Sequence, residues 1–280
     1  MSSHPSCNLS YAVHLFRSPR LLAASTYSFV VTILRNLFFL FSTSAPFVVY
    51  KAYFKNIVRR NAIEKLRTST NEFQKLIQVG NFSSDYFSVN IPYWLMLFKK
   101  CSINEKNIKA LEIGSWEGMS SLFILTELPK ADLTCVDTWE GSDEQKNQDV
   151  LKSIETHFDL NLEIYKNRLT KFKGTSFSFF NSCNERAQFD LIYIDGSHYC
   201  DDVICDAIKG FEQLKVGGVM IFDDYFWNYY KRPIDNPAGA INAFLKLKSG
   251  TYELVSVNNQ LIIRKLVSND RPSLSNKITQ

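Results

Sequence analysis

Short apolar runs alternate with longer, periodically apolar stretches over the second half of the chain. The short runs end at acidic, polar or glycine residues, and their continuous apolar character is typical of strands buried on both faces of a sheet. The longer stretches repeat apolar residues at three- or four-residue spacing, which predicts helices. The alternation predicts an α/β fold with a mostly parallel sheet, and Asn258 with Asn259 predicts a closing antiparallel hairpin.

The expected elements follow one another without a repeat. The predicted strands are residues 108–114, 132–137, 176–180, 189–195, 218–223, 252–257 and 260–265. The predicted helices among them are residues 118–128, 144–158, 202–214 and 238–247. Ligands of parallel sheets gather at the carboxyl ends of the strands. The polar residues near those predicted ends are Glu112, Asp137, Asn181, Asp195 and Asp223.

Residues 21–50 are mostly apolar, but Arg35, Asn36 and Pro46 interrupt them. A spanning helix needs about 20 apolar residues, which neither half supplies. An arginine near mid-membrane would cost roughly 2.5–3.5 kcal/mol. Three interpretations are open: a membrane anchor or interfacial segment, a cleaved targeting peptide, and a leader that packs on the following domain or has no role.

Helical spacing of apolar residues returns at residues 53–78. We therefore expect three regions. Residues 1–80 form a hydrophobic, basic N-terminal helical extension, residues 81–267 form the α/β domain, and residues 268–280 form a polar tail.

Charge is unevenly distributed along the chain. The net charge is +4, and residues 1–63 contribute +7 through seven basic and no acidic residues, so the remainder carries −3. A domain without a basic surplus is not expected to bind nucleic acid. The six cysteines are scattered without a CxxC pair, which predicts reduced thiols rather than a disulfide framework or a zinc site.

A glycine turn, LEIGSWEGMS, joins the first predicted strand to its helix. Such a turn holds nucleotide-like ligands in α/β folds. A dinucleotide fingerprint would have a third glycine, which is absent after Gly114 and Gly118. Glu112, just before the first glycine, suits a ligand that carries a positive charge, such as S-adenosylmethionine.

Three acids follow two predicted strands: Asp195 ends the fourth, and Asp223 with Asp224 ends the fifth. Neighbouring strand ends lie about 5 Å apart, so these carboxylates would repel one another unless a hard divalent cation joined them. His198 lies beside them and could accept a proton from a hydroxyl. Exposed loop acids and a histidine without a proton role are the open alternatives.

Four motifs, LEIGSWEGMSS, CVDTW, FDLIYIDGSHYCDDV and LKVGGVMIFDDY, resemble those of class I S-adenosylmethionine-dependent methyltransferases in order and spacing. Within that class the chain resembles the metal-dependent sugar O-methyltransferases typified by macrocin O-methyltransferase, and more distantly the catechol O-methyltransferases. The resemblance covers roughly residues 85–265. It implies a Rossmann-like, mostly parallel seven-stranded sheet with an antiparallel C-terminal hairpin.

The resemblance also implies roles for individual residues. In the cofactor site, Glu112 faces the amine of S-adenosylmethionine, and Gly114 and Gly118 admit its backbone contacts. The other expected cofactor residues are Asp137 at the ribose hydroxyls, Trp139 as a cover or a packing residue, and Asn181 with Ser182 at the adenine. The implied metal ligands for Mg²⁺ or another hard divalent cation are Asp195, Asp223 and Asp224, and the implied base is His198.

We therefore expect methyl transfer from S-adenosylmethionine to one hydroxyl of a vicinal diol, on a small-molecule or glycan acceptor rather than a catechol. The expected location is cytoplasmic, with membrane association through residues 21–50, and organelle targeting is the alternative. A metal-independent methyltransferase and a non-enzymatic, membrane-tethered cofactor-binding module remain open. A dinucleotide oxidoreductase is disfavoured by the glycine spacing. The acceptor and the oligomeric state are left open by the sequence.

Overall fold

The computed structural model describes residues 19–66, 71–141, 145 and 147–267, and the expected polar tail lies outside them. Packing divides the chain into the units Met1–Ser42 and Thr43–Gln280. The described part of the first unit is one helix, α1 (Pro19–Ser42). Among the described residues, no helix combines the length and the apolar character that crossing a bilayer requires.

The second unit contains the sheet and the remaining helices. Its helices are α2 (Phe47–Glu64), α3 (Asn71–Val79), α4 (Ile91–Cys101), α5 (Met119–Glu127), α6 (Gln148–Leu162), α7 (Ser176–Ser182), α8 (Cys200–Gln213) and α9 (Pro237–Leu247). Its strands are β1 (Ile108–Ile113), β2 (Ala131–Asp137), β3 (Leu169–Lys173), β4 (Phe189–Ile194), β5 (Leu214–Phe222), β6 (Tyr252–Val257) and β7 (Leu261–Lys265). The helix expected over residues 53–78 falls on α2 and α3.

The seven strands form one sheet in the order β3-β2-β1-β4-β5-β7-β6. The first five pair in parallel, and β7 pairs antiparallel with both β5 and β6. The predicted α/β fold, with its parallel sheet and antiparallel hairpin, is confirmed. Strand order reverses direction between β1 and β4, and the carboxyl end of such a switch point is where α/β sheets form a ligand crevice.

Helices from before the first strand contribute to the core of the sheet. Phe123 of α5 lies within 6.3 Å, ring centre to ring centre, of the rings of Phe73, Phe87, Trp94 and Phe98. All five side chains are buried. Their edge and tilted contacts are the favoured geometry of aromatic pairs. Helices α3 and α4 are therefore part of the packing that supports β1, β4 and β5.

The predicted third strand, residues 176–180, is wrong, because these residues form α7. The Thr175 hydroxyl accepts a hydrogen bond from the Ser178 N–H at 3.2 Å, which begins a helix. The strand lies earlier, at β3, where three of five residues are polar or basic and the strand is an edge of the sheet. An edge strand is exposed on one side, so its apolar signal is too weak to be seen in the sequence.

A buried acid, Asp206, lies on the inner side of α8 and is only 4% exposed. Burial raises the pKa of its carboxyl to about 6, the hydrogen bond from Ser176 opposes this, and the charge of Asp202 adds to it. The ordinary pKa is 3.8. The ionised carboxylate therefore destabilises the fold, so stability is greatest below the ordinary pKa and is lost as pH rises through about 6.

We predict that Asp206→Asn makes the protein more stable at about pH 8, by at most roughly 3 kcal/mol, and that the gain shrinks below about pH 5. Urea denaturation at both pH values measures the difference. Asp132→Asn, which changes an exposed aspartate on β2, is the matched control and should change stability little at either pH. A pH-independent effect of Asp206→Asn would contradict this account.

Candidate active site

The carboxyl ends of β4 and β5 carry the acids that the sequence singled out. The Asp195 N–H donates to the Ile113 carbonyl at 2.8 Å, and the Asp223 N–H donates to the Ile194 carbonyl at 2.9 Å. The backbone ladder thus continues one residue past β4 and β5. This pairing holds Asp195 and Asp223 at the same edge of the sheet, where the crevice opens.

Asp195, His198 and Asp224 form a close group. One ligand atom from each lies within 4.8 Å of the others, and all three side chains are half-buried. The His198 Nε2 lies 2.7 Å from Asp224 Oδ2. A cavity of about 10 Å³, close to the space of one water molecule, is lined by these residues. Two carboxylates and an imidazole around so small a cavity are a suitable donor set for a hard divalent cation.

Asp223 lines the same cavity but is not part of that group. Its Oδ2 accepts hydrogen bonds from the Tyr193 hydroxyl and from the Gln260 amide, the latter at 2.9 Å. Its Oδ1 accepts the Asp224 N–H at 2.7 Å. The structure therefore brings together two of the three expected carboxylates and adds the histidine. Asp223 is directed towards partners that the sequence did not indicate.

These partners form a buried chain of hydrogen bonds. The Tyr193 hydroxyl also contacts Asp195 Oδ2 at 2.8 Å. Gln260, in the turn between β6 and β7, accepts the Trp94 indole N–H at 2.6 Å. Tyr193, Gln260 and Trp94 are fully buried and resemble ordinary core residues in the sequence. Helix α4 and the C-terminal hairpin thus position Asp223, and no sequence signal pointed to either.

Negative charge at this edge is only partly compensated. Desolvation and the charges of Asp223 and Asp224 raise the pKa of Asp195 well above its usual range. Desolvation and the charge of Asp224 also raise the pKa of Asp223, while the bonds from Tyr193 and Gln260 lower it. A bound cation would remove this repulsion, so the electrostatics of the residues present fit a metal site.

The glycine turn lies against the end of β4. Gly114 has a φ of +83°, and a Cβ at this position would overlap the Asp195 carbonyl. Gly118, with a φ of +82°, precedes α5, and a Cβ there would lie 3.0 Å from Leu162 and 3.1 Å from Phe158. Both glycines are required by backbone conformation and by close packing. Their expected contacts with a cofactor stay a prediction.

Glu112 is fully buried beneath this turn. Its carboxylate accepts hydrogen bonds from the Ser120 hydroxyl at 2.5 Å and from the Ser121 hydroxyl. Burial raises its pKa, and these bonds lower it. Glu112 therefore ties β1 to the first turn of α5. The contact with a cofactor amine that we expected of it stays a prediction.

Asp137 stabilises the same turn from the end of β2. Its Oδ2 accepts the N–H groups of Ser115 and Trp116 at 2.7 and 2.9 Å, and its Oδ1 accepts that of Trp139 at 2.7 Å. Carboxylate oxygens keep further lone pairs, so bonds to ribose hydroxyls remain open to it. The Trp139 ring is 5% exposed and packs on Phe158 at 4.9 Å. Trp139 is thus in the packing position that the sequence left open.

Asn181 and Ser182 were expected after a strand, and this placement is wrong. Both are exposed on the last turn of α7, which runs back towards the start of β4 and away from the carboxyl edge. The segment at that edge is Gly174–Thr175, and the Gly174 N–H donates to the Asp137 carbonyl at 2.9 Å. The sequence missed this loop because the strand before it was placed too late in the chain.

Comparison with known proteins identifies the domain that carries this site. Residues 111–225 match the family model described as a methyltransferase domain. The chain carries a class I methyltransferase domain. The match spans the glycine turn, the strand ends and the acids described above. The predicted resemblance to S-adenosylmethionine-dependent methyltransferases is thereby confirmed at the level of domain and fold.

Solved structures share the fold of this methyltransferase domain at low sequence identity. A putative O-methyltransferase from Klebsiella pneumoniae matches with a TM-score of 0.52 at 15% identity, over 78% of this chain and 99% of that one. TomG from Streptomyces achromogenes, an O-methyltransferase of tomaymycin synthesis, matches with a TM-score of 0.48 at 13% identity, over 78% and 99%.

MycE, a methyltransferase of the mycinamycin biosynthetic pathway solved with Mg, SAH and mycinamycin VI, matches with a TM-score of 0.48 at 15% identity. The match covers 68% of this chain and 53% of the MycE chain, so this chain spans about half the length of MycE. No curated protein matches the sequence.

We predict that Gly114→Ala is far more damaging than Gly250→Ala. Both positions have a φ of +83°, but a Cβ at Gly250 meets open space whereas one at Gly114 meets the Asp195 carbonyl. Gly250→Ala should cost only the backbone strain, about 1–2 kcal/mol. Gly114→Ala should cost more and should also weaken binding of S-adenosylmethionine. Urea denaturation and calorimetry measure both, and equal effects would contradict the proposed close approach.

Proposed function

We propose that this methyltransferase domain transfers a methyl group from S-adenosylmethionine to one hydroxyl of a vicinal diol on a sugar or glycan. Asp195 and Asp224 hold a divalent cation, and His198 is the general base. The observation that carries the proposal is the convergence of two carboxylates and an imidazole within 4.8 Å. This group lies at the edge of the sheet where the glycine turn meets β4.

The cation in this proposal is Mg²⁺ or another hard divalent ion, because carboxylate oxygens favour such ions. When bound, it would make a coordinated hydroxyl more acidic and stabilise the resulting negative charge. Asp223 is assigned to positioning, since both of its oxygens already accept hydrogen bonds from Tyr193, Gln260 and the Asp224 N–H. This assignment narrows the three-acid ligand set that the sequence predicted.

His198 is well placed to take the acceptor's proton. Its Nε2 contact with Asp224 orients the ring and favours the protonated form once a proton has been accepted. The Trp227 ring packs against the imidazole at 4.6 Å and limits its rotation. As the proton moves to His198, the acceptor oxygen bonds to the methyl carbon and the bond from sulfur to that carbon breaks. Positioning of the two reactants is the main contribution of the chain.

The cofactor would lie along the glycine turn between β1 and α5. Asp137 is available to ribose hydroxyls, and the Gly174–Thr175 loop beside it replaces Asn181 and Ser182 as the adenine-side segment. Glu112 contributes negative charge from below the turn, which favours a sulfonium cation over a neutral ligand.

Aromatic side chains after β5 support a sugar acceptor. Trp227 and Tyr229 stack with ring centres 5.4 Å apart, and Tyr230 stacks on Tyr199 at 5.0 Å. These rings lie next to His198 and are partly or fully exposed, so their faces are available to a sugar ring. Tyr225 differs, because it is buried and its hydroxyl donates to Asn242 at 2.7 Å.

Membrane association through residues 21–50 is also part of this proposal. Within α1, the apolar side chains of Leu34, Phe38 and Phe41 are 60–76% exposed, and their spacing places them on one face of the helix. An exposed apolar face on a helix that is not a spanning segment is typical of an interfacial helix.

The function is tested by methyl transfer from labelled S-adenosylmethionine to a panel of sugars, glycans and catechols. We expect transfer to a vicinal diol that stops after EDTA treatment and returns with Mg²⁺ or Mn²⁺. Full activity after exhaustive EDTA treatment would favour a metal-independent methyltransferase of the same fold. Binding of S-adenosylmethionine without transfer to any diol would favour a cofactor-binding module.

We predict that Asp224→Asn abolishes binding of Mn²⁺, because it removes a direct ligand. Asp223→Asn should retain binding, with the affinity lowered by roughly 10–100-fold, because it disturbs only the positioning bonds. Asp202→Asn, at an exposed acid on α8, is the control and should bind normally. Calorimetry with Mn²⁺ measures all three. Equal loss in Asp223→Asn and Asp224→Asn would restore the three-carboxylate ligand set.

We predict that His198→Ala lowers kcat by roughly 10²–10⁴-fold while binding of S-adenosylmethionine persists, as expected for loss of a general base. His157→Ala is the control, since that imidazole pairs with Glu117 at 2.8 Å on α6, away from the acids. It should keep kcat within roughly threefold. A normal rate for His198→Ala across pH would exclude the proton-transfer role.

A further inference from the structure

A second concave site lies on the larger unit, away from the methyltransferase crevice. Helix α2, helix α4 and strand β6 enclose an open groove with a volume of about 330 Å³. Four of its lining side chains are basic, and none is acidic: Lys55, Arg59, Lys99 and Lys100. Its volume falls within the range of ligand pockets, which is about 300–1,000 Å³.

The positive charge of this groove is largely uncompensated. Lys100 pairs with Glu253 at 3.2 Å. The structure shows no acidic partner for Lys55, Arg59 or Lys99 within the described ranges of the chain. Lys55 and Arg59 are four residues apart on α2, a spacing at which like charges destabilise a helix. A bound anion would relieve this repulsion.

Apolar surface accompanies the charge. Met96 and Val255 line the groove between the basic side chains. On the outer face of α2, beside Lys55, the side chains of Phe54 and Val58 are 48% and 85% exposed. One helix therefore presents a row of cations next to a row of apolar side chains. This pairing matches a ligand that is both anionic and apolar, as an anionic phospholipid is.

We propose that the groove between α2, α4 and β6 binds the headgroup of an anionic phospholipid at a membrane surface. The basic side chains hold the phosphate, and Phe54 and Val58 enter the interface beside it. Nucleic acid is a poorer fit, because no aromatic side chain lines the groove to stack on a base. The proposal does not depend on methyl transfer, and it concerns residues outside the segment 21–50.

The groove is connected to the active site by one helix. On the inner side of α2, the Tyr53 ring packs edge-on against Phe226 with ring centres 5.6 Å apart. Phe226 lies two residues beyond Asp224, in the segment that carries the exposed aromatic rings. A lipid held at α2 would therefore place the acceptor side of the crevice close to the membrane, where a membrane-borne acceptor is concentrated.

The test is co-flotation of the full chain with vesicles of phosphatidylcholine, with and without about 30% phosphatidylglycerol, near physiological ionic strength. The test variant is the double substitution Lys55→Gln with Arg59→Gln. The matched control is Lys152→Gln with Lys209→Gln, which removes the same charge from exposed positions on α6 and α8. We expect the test variant to lose roughly 30-fold in partitioning to the anionic vesicles, and the control to lose less than about threefold.

Three outcomes would overturn the proposal. The first is equal partitioning of the test variant and the unsubstituted chain, which would leave anionic binding to the N-terminal unit alone. The second is equal loss in the control, which would indicate net charge without a site. The third is displacement from the vesicles by millimolar inorganic phosphate or by a short single-stranded RNA, which would assign the groove to a soluble anion. Methyl transfer measured on a soluble acceptor should be the same in all variants, so this test is independent of the proposed function.

Discussion

The close approach of Gly114 to the Asp195 carbonyl is the contact on which the site depends. It joins the end of β1 to the end of β4 at the point where strand order reverses. No side chain is tolerated there, so the turn that receives a cofactor and the first of the acids share one backbone contact. The parallel pairing of β4 with β5 then brings Asp223 and Asp224 to the same edge. Backbone geometry, more than side-chain packing, therefore determines where the chemistry occurs.

Electrostatic repulsion is the second constraint. Three aspartates meet at one edge, and the available donors from Tyr193, Gln260 and His198 satisfy them unequally. Asp223 is held by neutral donors, whereas Asp195 and Asp224 stay near the histidine. This division separates a carboxylate that positions the site from two that are available to a cation. It also explains why side chains of α4 and of the C-terminal hairpin matter to a site formed by β4 and β5.

The helices that precede the sheet have two functions in this account. Helices α3 and α4 fill the core through aromatic contacts with Phe123 and supply Trp94 to the hydrogen-bonded chain behind Asp223. Helix α2 covers β6 and presents uncompensated positive charge outwards. The basic character of the N-terminal third, which is only a net charge in the sequence, becomes a localised groove in the fold. A membrane surface and a methyl acceptor would then lie on either side of the same helix.

The sequence by itself determined the glycine turn, the buried strands β1, β4 and β5, and the presence of acids at their ends, because these features depend on local spacing and on burial of whole segments. Only the tertiary structure decided the position of β3, the partners of Asp223 and the involvement of Trp94 and Gln260. An edge strand is weakly apolar, and an amphipathic run such as residues 176–180 is compatible with a helix or a strand until it is packed. Likewise, residue order places an acid at a strand end, but the direction of its side chain follows from donors on distant elements that the chain brings together only on folding.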